Sequence, residues 1–128
     1  MIIVILGGTE SLRDDVVKEL IEPHPSKVQH LNLTHCHDTY ARLVAEFTPR
    51  KSNKFITVIT GIKQPKALDF LREQQATICH CYGQLTQEYS HISIKLGDYH
   101  VLPDILADMA PEHVYTPLEL LSECFFKG

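Results

Sequence analysis

The chain has 128 residues, 44% of them apolar, and a formal net charge of −4. That is the length of one domain, spanning 1–128, and a composition that buries a core rather than staying disordered. It offers no basic footprint for nucleic acid, and no apolar run approaches the ~20 residues of a membrane span. Cys36, Cys79, Cys81 and Cys124 do not form a disulfide framework. The apolar start, Met1 to Leu6, has no basic residue before it and does not read as a secretory signal, so reduced thiols in a cytoplasm are expected.

Ile2 to Leu6 is an unbroken β-branched and aliphatic run ended by Gly7-Gly8, as in a strand buried on both faces of a parallel sheet. Leu12, Val16, Val17, Leu20 and Ile21 then recur at helical spacing, and Pro23 and Pro25 stop that helix. A second strand is predicted over Val28 to Leu33, then a helix capped by Asp38 or Thr39. Arg50, Lys51 and Lys54 read as a solvated loop. Phe55 to Thr60 is a third strand, and Gly61 breaks it. A helix follows from Pro65 to about Gln75, then a fourth strand over Ala76 to Tyr82. Beyond Gly83 a short helix is expected over Leu102 to Met109, a fifth strand over His113 to Tyr115, and a closing helix over Leu118 to Phe126. Strands alternating with helices predict an α/β domain: a parallel sheet with helices on both faces, in three layers.

In such sheets ligands bind beyond the carboxyl ends of the strands. The first of these ends holds Gly7, Gly8, Thr9, Glu10 and Ser11. Glycines let a loop curl its amides inward, and a helix start offers free N–H groups and a partial positive charge, so the segment is a candidate anion site. A complete phosphate loop needs G-x-x-x-x-G-K-[ST]. Counted from Gly7, Leu12 falls on the second glycine, Arg13 on the lysine and Asp14 on the hydroxyl residue.

The segment Ile3 to Asp15 resembles the opening of the deoxynucleoside monophosphate kinases and phosphomevalonate kinases. Residues 56–81 resemble that family's strand, turn, helix and following strand, with Gly61, Ile62 and Lys63 standing in a turn that reads Asp-Val-Arg in the family. The resemblance implies a P-loop-kinase-like sheet of order 2-3-1-4-5 with Ile2–Leu6 central. It also implies a site for ATP or another nucleotide with magnesium, or for a phosphorylated small molecule. Gly7, Gly8, Thr9, Glu10, Ser11, Arg13 and Lys63 are the phosphate-binding candidates it suggests. The loop lysine neutralises charge on the transferred group and the hydroxyl holds magnesium. Arg13, Asp14 and Leu12 depart from both needs and from close backbone approach, so a small binding or regulatory module with no required cofactor is expected rather than an efficient kinase. The alternatives are a minimal phosphotransferase with Arg13 in the lysine's role, and a dinucleotide-binding domain, although G-x-G-x-x-G is missing.

Two further patterns stand out. His35, Cys36, His37 and Asp38, with Cys79, His80 and Cys81, contain zinc-ligand types, but C-x-C spacing is poor for zinc and packing is the expectation. The closing segment, with Leu118, Leu120, Leu121, Cys124, Phe125 and Phe126, is apolar beyond one stripe. A homodimer through this helix, or another protein partner, is therefore expected.

Overall fold

The computed structural model describes residues 2–46, 56–82, 97–103, 106 and 114–123. Within them one open sheet contains six parallel strands: β1 (Ile2–Leu6), β2 (Val28–Asn32), β3 (Ile56–Thr60), β4 (Thr77–Cys81), β5 (Tyr99–Val101) and β6 (Val114–Tyr115). The strand order is β2-β3-β1-β4-β5-β6. Four helices accompany it: α1 (Glu10–Ile21), α2 (Thr39–Glu46), α3 (Pro65–Glu73) and α4 (Pro117–Leu121).

β1 lies between β3 and β4 and is buried along its whole length. That is why it carries no polar residue. Ile2, Val4 and Leu6 face one side, where Leu43 of α2 and Ala67, Leu68 and Leu71 of α3 complete a core cluster. Ile3 and Ile5 face the other, against Val16, Val17 and Leu20 of α1 and Leu120 and Leu121 of α4. The strand's alternation thus builds two cores, one on each face of the sheet. β2 is one edge strand of the sheet and is exposed at Gln29, His30 and Asn32.

Local signals account for the helix ends. Thr9 caps α1, its hydroxyl accepting from Leu12 N–H at 3.1 Å. Asp38 caps α2 through Ala41 N–H at 3.1 Å. Pro65 opens α3, and Pro117 opens α4 behind a capping box between Thr116 and Glu119.

Two expectations are corrected. The strand read at 113–115 is present as β6, but it does not pair with β4: Tyr99–Val101 lies between them. Leu120 does not belong to an apolar surplus, because it is fully buried against the sheet and α1. Phe126, Phe125 and Cys124 lie outside the described residues, as do Arg50, Lys51, Lys54 and most of the segment 102–109. Among the described residues no helix is long and apolar enough to cross a membrane.

Candidate functional site

β1 and β3 are neighbours whose exits diverge. The chain leaves β1 through Gly7–Thr9 into α1 on one face, and leaves β3 through Gly61–Gln64 into α3 on the other. This divergence makes a topological switch point, and the crevice outside the two carboxyl ends is where open α/β sheets take ligands. Gly7, Gly8, Thr9, Glu10, Ser11 and Lys63 all fall on its borders.

The loop itself is built around Arg13. Its side chain is buried, and Nη1 donates to the carbonyl oxygens of Gly7 and Gly8, each at 2.9 Å. Both glycines hold positive φ, +79° and +64°, which lets successive carbonyls turn toward one guanidinium. The described peptides are trans. In a trans unit the C=O and N–H point opposite ways. The N–H groups of Gly8 and Thr9 therefore point away from Arg13. A phosphate cradle needs the reverse, amides inward around the anion.

Leu12 packs beside Gly8. A Cβ placed on Gly8 would lie 2.9 Å from Leu12 Cδ2 and 3.1 Å from Cys81 Cβ. Below the loop, burial pushes the Cys81 thiol up to about 12 against the opposing pull of Arg13, so it is neutral and unreactive. Glu10, Asp14 and Asp15 are exposed along the first turns of α1 and set negative charge beside the loop.

On the other side of the crevice Gly61 is fixed by contact. Its φ is +86°, and a Cβ there would overlap Thr34 N and come within 2.6 Å of the Leu33 carbonyl carbon. The β3–α3 turn thus rests on the backbone of the β2–α2 turn. The side chain of Gln64 strengthens the join: its Oε1 accepts from the buried Thr39 hydroxyl at 2.8 Å and from Tyr40 N–H at 3.2 Å. Lys63 is half-buried within this turn, and Lys66 lies 4.2 Å above the Tyr40 ring.

The His/Cys segments do not assemble. Cys36 packs against the α2–α3 cluster, whereas Cys79 and Cys81 lie in the α1–α4 cluster on the opposite face. His35 and His37 are exposed, and among the described residues no group of three or more ligand types is placed to hold a metal. His80 points to the α3 side and bonds Asp98 instead, 2.8 Å from its Oδ2.

That bond belongs to a buried network the sequence did not reveal. Arg72 holds Asp98 with two bonds of 2.7 and 2.8 Å. The paired carboxylate raises the Arg72 pKa further above its ordinary value. A second missed pair joins the β2 edge to the site: His30 Nε2 lies 2.8 Å from the buried Thr60 hydroxyl at the end of β3. Partial burial holds the His30 pKa below its ordinary value, with Asp14 opposing the shift. Residues 26, 18 and 30 positions apart leave no periodic trace, so only the fold could bring them together.

The chain matches no protein-family model, no curated protein and no solved structure.

Proposed function

We propose that this protein is a small, non-catalytic binding module built on the plan of the P-loop kinases. The observation that carries the reading is the Arg13 guanidinium on the Gly7 and Gly8 carbonyls, each at 2.9 Å. In this loop the cation is the occupant, and it is supplied by the chain. Phosphoryl transfer needs a mobile cation on the transferred group and a hydroxyl on magnesium. Arg13 is committed to the loop, and Asp14 stands where that hydroxyl belongs.

The ligand in this reading is a phosphorylated small molecule or nucleotide in the switch-point crevice, outside the loop. Its donors are the amides of Gly8 and Thr9, turned away from Arg13, with Lys63 in the facing turn. Glu10, Asp14 and Asp15 repel each added negative charge, so a monophosphate is favoured over a triphosphate. A minimal phosphotransferase would first have to draw Arg13 out of its buried contacts. Calorimetry tests the reading. A nucleoside monophosphate is expected to bind in the presence of magnesium, with no ATP turnover. Failure of all phosphorylated ligands to bind at millimolar concentration overturns the module, and turnover restores the enzyme.

A homodimer through the closing segment belongs with this function. With Leu120 and Leu121 in the core, its described support is Leu118, which is 60% exposed.

A further inference from the structure

We draw no further inference here: the strongest candidate, the apolar groove of about 340 Å³ between α1 and the outer strand β2, with Val17 and Ile21 inside it and Asp14 and His30 on its rim, is an unpartnered face, and nothing among the described residues shows what covers it.

Discussion

Arg13 brings a full positive charge into the protein, where an unpaired ion is costly. Two loop carbonyls accept from it, one buried and one partly buried, and each loses that donor if the guanidinium is removed. Hydrogen bonds to charged groups contribute roughly 1.5–3 kcal/mol, and orphaned acceptors add to the loss. Arg13→Ala is therefore expected to lower unfolding stability by about 2–4 kcal/mol in urea titrations. A loss under about 0.5 kcal/mol, the range of ordinary surface changes, would mean the arginine does not hold the loop. The resemblance to a lysine position pointed to Arg13 as a ligand group. The direction of its side chain was not legible, because an arginine at a helix start serves equally as anion binder or internal brace.

His30 carries a pH signature at the same scale. Its folded pKa lies below 6.5, so the unfolded chain binds the proton more readily. The neutral imidazole's contribution is present above about pH 6.5 and is lost as the pH falls through the unfolded value toward the folded one. The wild type should accordingly lose more stability than His30→Gln as the pH is lowered below about 6.5. Parallel pH profiles for the two proteins would show that His30 has no such role. The ring is partly exposed, which keeps the difference small.

Among the elements, β1, α1, β3, α3 and β4 were legible because each signals its own boundary. β1 is apolar without interruption, the two proline starts mark α3 and α4, and Gly7 and Gly61 end strands at positive φ. β5 was not legible. Tyr99–Val101 is three residues long and only its last is buried, so it shows neither an apolar run nor an alternation. Its position on β4 is fixed from outside by Asp98, held by Arg72 of α3 and His80 of β4. Removing one partner of a buried ion pair leaves the other charge uncompensated, typically at about 3–5 kcal/mol. Arg72 retains some exposure, so Asp98→Asn is expected at or below the lower end, about 2–3 kcal/mol in thermal or urea unfolding. Loss should also raise amide exchange at Tyr99, His100 and Val101 before that at β1. Unchanged exchange in β5 would show that the network does not hold this strand.

The two-faced sheet and its switch point follow from alternation in β1 and from which face each crossover helix covers. The apolar closing segment suggested self-association, and the fold absorbs part of that surface. Leu118 alone offers at most about 1.5–3 kcal/mol on burial, against an association cost of at least about 4 kcal/mol. A dimer therefore needs the rest of the segment. Sedimentation at tens of micromolar is expected to show a dimer that Leu118→Asp weakens. A monomeric wild type, or a dimer indifferent to the substitution, would move self-association elsewhere or remove it.

In the proposed function, Arg13 and Leu12 exclude a nucleotide triphosphate from the loop. Leu12→Gly with Arg13→Lys and Asp14→Ser removes the branched side chain beside Gly8, frees the Gly7 and Gly8 carbonyls from a forked cation and deletes a repelling carboxylate. Glycine in the first turn of α1 should cost at most about 1 kcal/mol, and circular dichroism checks that the variant folds. The direct measurement is titration calorimetry with Mg·ATP on the wild type and on the folded triple variant. The wild type is expected to show no tight binding and no turnover, with affinity rising in the variant. Tight Mg·ATP binding with turnover by the wild type, or a folded variant that still binds nothing at millimolar concentration, would overturn the proposed function.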